Sequence, residues 1–323
     1  MGPVWYREAP VPVPTTARSE DGVRILVTND DGVRAPGIAA LARAAHGTGH
    51  EVVVVAPLVD YSGSGAAVGP VHSRDGVDYE SHVIEELDVP TYGIDGPPAL
   101  AVILSCVGGF GPPPDMVLSG VNHGINVGRS AMHSGTVGAA LTGAHFGLRC
   151  LAASIRWGDE PVPWETPASL AAALVPLLAE SPPGTVLNLN TPNLPVVEVR
   201  GVRSGRLARG GSIRSAVHDA GAPPHLPGDG HPHVSLPPAG SGTLRLDLVA
   251  PGPSRPGEDL DSDAGLVAAD FASITALVGV REAGAEAKPV VDEALDVLSA
   301  RLDQVRPGRE TAAARRSAPS GGA

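Results

Sequence analysis

A chain of 323 residues with 41 Gly and 33 Pro, 42% hydrophobic but only 3% aromatic, must build its core from Val, Leu, Ala and Ile and place many turns. A formal charge of −12 excludes a general nucleic-acid groove, which needs a basic footprint. Two cysteines, Cys106 and Cys150, exclude a disulfide framework and point to small core residues in a cytoplasmic protein.

The first residues, 1–22, are Pro-rich and polar and read as a flexible tail, without the apolar segment of a secretory signal. "RILVT" then reads as a buried strand, followed by a helix that starts at Pro36 and carries Ile38, Leu41, Ala42 and Ala45 at helical spacing. "EVVVVAP" and "DMVLSG" are the next strands. Between them "PPALAVILSCVGGFG" is the longest nearly apolar run, too short for the ~20 residues of a membrane span, so no membrane association is expected. "SGTVGAALTGAHFG" reads as a helix capped by Ser134, with Val137, Ala140, Leu141 and Ala144 on one face. "CLAASI" and "TVLNLN" are further strands, separated by an Ala/Leu helix over 167–180 that bends at Pro176.

The alternation predicts an α/β fold, a Rossmann-like and mostly parallel sheet with helices on both faces, in one domain over 23–282. Within it, residues 205–242 are Gly-, Pro- and His-rich and read as a long loop or oligomerisation arm, part of an extended C-terminal arm or hairpin region, before strand character returns in "GTLRLDLV". His218, His225, His231 and His233 in this stretch lack an element to fix ligand geometry and read as a solvated loop. A C-terminal helix over 283–305 carries Val291, Leu295, Leu298 and Leu302 as an apolar stripe, and 306–323 reads as a disordered tail.

In open parallel sheets ligands bind beyond the carboxyl ends of the strands, where three polar clusters fall. Asn29-Asp30-Asp31-Gly32 follows the first strand; a helix and not a returning strand comes next, so this is a β–α connection and not a hairpin turn. Ser62, between Tyr61 and Gly63, offers a hydroxyl after the second strand. The third loop, "SGVNHGINVGRSAMHSGTVGAA", supplies Asn122 and Asn126 among glycines and opens a helix at Ser134-Gly135-Thr136 whose free N–H groups suit a phosphate. Neither a dinucleotide fingerprint nor a P-loop is intact in it. Two carboxylates, a hydroxyl and an Asn carbonyl are hard oxygen donors, suited to Mg²⁺ or Mn²⁺.

In order and approximate spacing, "ILVTNDDGVRAPGIAAL", "VVVVAP…YSGSG" and "VLSGVNHGINVG…HSGTVGAAL" resemble the SurE family of stationary-phase survival proteins, with "VLNLNTP" and "SITAL" similar to its later strands. The resemblance implies a metal-dependent phosphomonoesterase acting on nucleoside 5′- or 3′-monophosphates, with one divalent ion (Mg²⁺ or Mn²⁺) per subunit held by Asp30, Asp31, Ser62 and Asn122. It implies a phosphate-facing set of Asn29, Gly124, Asn126, Ser134, Gly135 and Thr136, and a homodimer or homotetramer joined through the C-terminal arm. Asp30 or Asp31 would orient or deprotonate the attacking water, with direct attack by the carboxylate as the alternative, and His133 is the candidate proton donor to the leaving oxygen. The chain departs from the family pattern at Gly96-Pro97-Pro98-Ala99-Leu100-Ala101, where Gly-Thr-Pro-x-Asp-Cys is usual, at His133 for Tyr, at Thr142 for Glu, at Asp270-Phe271 for Gly-Tyr and at Ala276 for Pro.

Two alternatives stand beside this one. "ALARAAHGTGHEVVVVAP" also resembles the first half of a two-domain sugar-nucleotide glycosyltransferase, although the irregular stretch from 200 to 260 does not supply the second half. The other is a non-catalytic nucleotide- or metal-binding relative that has kept the Asp pair.

Overall fold

The strand–helix rhythm appears in the structure, a computed structural model that describes residues 22–69, 71, 76–209, 215–219, 244–248, 260–281, 284–285 and 288–305. The expected tails, apart from Gly22, and His225, His231 and His233 lie outside the described residues. The chain divides into two compact units, 1–279 and 280–323.

In the first unit β1 (Arg24–Thr28) leads to α1 (Pro36–His46), β2 (Glu51–Pro57), β3 (Tyr79–Ile84), β4 (Leu87–Ile94) and α2 (Pro98–Cys106). Then come β5 (Met116–His123), α3 (Gly135–His145), β6 (Arg149–Ile155), α4 (Glu165–Ala173), α5 (Val175–Glu180), β7 (Val186–Thr191) and β8 (Val202–Ser204). The last elements are β9 (Ser215–Asp219), β10 (Leu244–Leu248), α6 (Asp263–Ala268) and β11 (Ala272–Leu277). Nine strands form one sheet in the order β3-β4-β2-β1-β5-β6-β7-β11-β8. The six strands from β4 to β7 run parallel, while β3 joins β4 and β11 joins β7 in antiparallel sense.

Strands buried on both faces read as unbroken aliphatic runs. Ile25 and Val27 of β1 pack with α1 and α4 residues such as Ile38, Leu41 and Ala171. Leu26 points the other way, into the cluster with Val102 of α2 and Val137 and Ala140 of α3. Cys106 and Cys150 are buried free thiols, and burial pushes the Cys106 thiol up to about 12. β9 and β10 form a separate antiparallel pair, Val217 opposite Leu246, in the arm region; the rest of 220–243 lies outside the described residues.

Several elements differ from or add to the sequence reading, among them α4 and α5, β3 and β4, and α2. The helix over 167–180 does not bend at Pro176 but breaks into α4 and α5 at Leu174, with Pro176 in the first turn of α5, where its missing N–H is no loss. The β3–β4 hairpin carries exposed polar residues and Pro90, an edge composition without the aliphatic run of a central strand. Helix α2 is apolar nearly all round and short, so its period is not diagnostic.

The second unit contains α7 (Lys288–Val305), a helix whose Val291, Leu295 and Leu298 are exposed. Among the described residues no helix is long and apolar enough to cross a membrane.

Candidate active site at the sheet switch point

From β1 the chain moves to β2 on one side, whereas β5 pairs on the other, so a crevice opens at the carboxyl end of β1. Asn29, Asp30 and Asp31 emerge into it. Asp30 is only 2% exposed, and its carboxylate is held by the start of α3: the Thr136 hydroxyl donates to Oδ1, and the Thr136 backbone N–H also reaches it. Burial raises the Asp30 pKa; the Thr136 bonds oppose this and Asp60 adds to it. Asp31 accepts from the His123 backbone N–H, yet burial, then Asp30, then Asp60 push its pKa up to about 7. Neither carboxylate forms an ion pair among the described residues.

The far wall is the end of β5. Its register against β6 runs from Ser119↔Ala152 to Asn122↔Ser154, so β5 holds one extra residue, a bulge that re-aims the following side chains. Gly120 makes the turn possible: its φ is +132° and a Cβ there would overlap Ala153 O. Asn122 donates through Nδ2 to Gly124 O, which leaves its carbonyl oxygen for a ligand. Asn29 donates through Nδ2 to Gly32 O at 3.0 Å, and its Oδ1 is buried without a partner.

Ser134 caps α3 by accepting from Val137 N at 3.1 Å, leaving its hydroxyl committed to the helix. Ser134→Ala is expected to lower stability by about 1 kcal/mol, read from the urea midpoint. Gly135 is the close-approach residue beneath the Asp pair. A Cβ there would stand 2.7 Å from Asp30 Cβ, 2.7 Å from Ser64 Oγ and 2.8 Å from Asp30 Oδ2.

Several singled-out residues therefore do other work. Thr136 holds Asp30 instead of presenting a free donor. Ser62 is exposed, and its hydroxyl donates to Asp60 Oδ1 at 2.6 Å; its neighbour Tyr61 is the residue tied to the Asp pair, through Tyr61 N to Asp30 O at 2.7 Å. Asn126 is clamped: its N–H donates to Asn190 Oδ1, its Nδ2 to Ser154 Oγ, and its carbonyl accepts from Asn188 and Asn190. Gly124 carries the carbonyl that orients Asn122. His133 ends a 3₁₀ turn, Arg129–His133, with an exposed side chain, and its backbone oxygen accepts from Gly65 N at 3.0 Å.

Sequence reasoning passed over three residues. Ser64 has a buried hydroxyl without a partner, beside Gly135 and Asp30. Asp60 adds a nearby negative charge. Asp263, fully buried, accepts from Gly128 N at 2.8 Å and Ala208 N at 2.9 Å and so braces the β5–α3 loop from a distant part of the chain. The Ser-Asp pair that opens α6 was the available signal, since Ser262 caps that helix and frees Asp263 to reach across.

The donor set fits a hard divalent cation. Two unpaired carboxylates, the Asn122 carbonyl oxygen and the partnerless Ser64 hydroxyl are all oxygen groups. No group of three or more His, Cys, Asp or Glu side chains is placed to share an ion among the described residues. Neutral oxygens would therefore have to complete the shell, which suits Mg²⁺ or Mn²⁺ better than a softer metal.

Comparison with known proteins points to one family. The family model "Survival protein SurE" matches residues 25–213. The chain is 37% identical over 203 residues to a protein of Xylella fastidiosa (strain M12) named 5′-nucleotidase SurE, covering 60% of this chain and 72% of that one. It is 39% identical over 187 residues to the protein of the same name from Legionella pneumophila (strain Lens), covering 57% of this chain and 70% of that one. The solved SurE protein from Aquifex aeolicus superposes with a TM-score of 0.63 at 27% identity, over 84% of this chain and 99% of that one. With the family model spanning more than half of its length and the same sheet beneath the matched motifs, the chain belongs to the SurE family.

Proposed function

We propose that the chain is a divalent-metal-dependent nucleotidase that hydrolyses nucleoside monophosphates to nucleoside and phosphate. The observation that carries this reading is the Asp30–Asp31 couple at the switch point, with no ion-pair partner among the described residues, Asp31 accepting from the His123 N–H beside Asn122 and Asp30 held by Thr136 at the N-terminus of α3. The relatives named 5′-nucleotidase support the reaction class.

Asp30, Asp31 and Asn122 would hold the ion, with Ser64 or Ser62 completing the set directly or through water. When bound, the ion supplies Lewis-acid polarisation of a phosphoryl oxygen and eases loss of a proton from water. The chain's own residues divide the remaining work. Thr136 fixes Asp30 through two donors, so Asp30 serves as the rigid wall, while the less buried Asp31 faces the crevice and orients the attacking water. In the reaction the water oxygen forms a bond to phosphorus while its proton passes to the Asp31 carboxylate, the P–O bond to the nucleoside breaks, and the leaving oxygen takes up a proton. His133, on the rim, is the proposed donor of that proton. Charge on the phosphoryl oxygens is the main quantity to stabilise in such a transfer.

In the cell we place the protein in the cytoplasm as a homodimer or homotetramer, acting on a small nucleotide and not on a nucleic acid. The exposed Val291, Leu295 and Leu298 of α7 support self-association.

The test is phosphate release from a panel of nucleoside 5′- and 3′-monophosphates and one aryl phosphate, with Mg²⁺, with Mn²⁺ and after EDTA. Release that requires metal and vanishes on chelation is the expected result. A protein that releases no phosphate from any ester would leave the binding-protein alternative in its place.

A further inference from the structure

The chain has three Trp in all, and two of them converge on His123, whose backbone N–H is bound by Asp31. Trp157, just past β6, stacks on His123 with ring centroids 3.8 Å apart and planes 37° from parallel. Trp164 meets His123 edge-on at 5.2 Å and 70°. Trp157 also lies against the β5–α3 loop itself: a Cβ on Gly124 would stand 2.6 Å from its Nε1. Even so, 59% of Trp157 is exposed, whereas a large aromatic ring is ordinarily among the better-buried side chains.

The position relative to the reaction matters more than the exposure. His123 lies between Asn122, the candidate ligand, and Gly124, whose carbonyl orients Asn122. The His123 N–H is itself bound by Asp31. The ring of Trp157 is thus connected to both sides of the phosphoester crevice through one packed residue.

We propose that Trp157, backed by His123 and Trp164, is the platform on which the base of a nucleoside monophosphate stacks. This rests on the nucleotidase reading and extends it to the substrate's base. Stacking uses the π-face that every base has, so the platform admits purines and pyrimidines alike and selects against phosphomonoesters without an aromatic group.

The experiment compares AMP with ribose 5-phosphate, which keeps the phosphate and sugar and lacks the base. In Trp157→Ala the ratio of kcat/KM for AMP to that for ribose 5-phosphate is expected to fall about tenfold, through KM, and Trp157→Phe to restore most of it. Independently, AMP added in EDTA is expected to quench the tryptophan fluorescence of the wild-type protein, with ribose 5-phosphate giving no change and Trp157→Phe abolishing the effect. An unchanged ratio, or quenching that survives in Trp157→Phe, overturns the platform. Should the wild-type protein hydrolyse neither ester, the nucleotidase reading fails by itself. The fluorescence result then decides the platform alone, upheld by Trp157-dependent quenching and overturned by its absence.

Discussion

Asp31→Asn is expected to lower metal-dependent phosphate release roughly 10²- to 10³-fold, the usual loss when one charge-stabilising group is removed from a preorganised site. The same variant should be more stable than the wild-type protein when no metal is present, and the reason is electrostatic. Asp31 is deprived of water and faces Asp30 and Asp60, so its folded-state pKa is pushed from 3.8 to about 7. A raised carboxylate pKa means that the folded chain holds its proton more tightly than the unfolded chain. The contribution of Asp31 to stability in EDTA should therefore be fully present below about pH 4, fall as pH rises towards 7 and level off above that. Asp31→Asn removes this slope, so its Tm in EDTA exceeds that of the wild type at pH 8. Adding Mg²⁺ or Mn²⁺ should reverse the order, because a cation stabilises the charged pair and has less to bind in the variant. Thermal melts across pH, with and without metal, test this apart from turnover. A variant that keeps full metal-stimulated release would remove Asp31 from the mechanism.

Gly138→Ala is expected to destabilise the protein by about 1–3 kcal/mol, the cost of overpacking, and to reduce turnover with it. The sign is diagnostic, since Gly to Ala inside a helix ordinarily stabilises by up to about 1 kcal/mol. Here a Cβ would overlap the Gly65 carbonyl and stand 2.7 Å from Ala66 N. These are backbone atoms and cannot rotate away. Either α3 or the 61–66 loop must move, and both are tied to Asp30: Thr136 of α3 donates to its carboxylate, and Tyr61 N donates to its carbonyl at 2.7 Å. The substitution thus pulls apart the two supports of one residue, Asp30, whose carboxylate rests on α3 and whose backbone rests on the 61–66 loop. Urea unfolding and phosphate release on the same samples test it. A variant as stable as the parent would show that the packing of α3 on the loop yields easily.

Much of this was visible in the chain because the relevant physics is local. A strand covered on both faces needs a continuous aliphatic run, so β1, β2, β5, β6 and β7 announce themselves, and Pro36 and Ser134 mark helix starts. The Asp pair was legible because two like charges at the end of a buried strand demand a partner. The edge strand β3 and its neighbour β4 have no such run, and α2 has no polar face, so neither gives a periodic signal.

The roles within the site could not be read in the same way. That Thr136 serves Asp30, that Ser134 serves its own helix, and that Ser62 turns to Asp60 while Ser64 lies beneath the pair all depend on which loop meets which across the sheet. Asp263 braces Gly128 from 135 positions away, and Trp157 meets His123 only because β6 pairs beside β5. The sequence by itself determined the central strands β1, β2, β5, β6 and β7, the helices that start at Pro36 and Ser134, and the residue types gathered at the strand ends, since each follows from periodicity, burial and capping over a few residues. Tertiary structure alone decided which of those polar groups remain free for a ligand, because hydrogen-bond partners between distant segments are set by packing and leave no periodic trace.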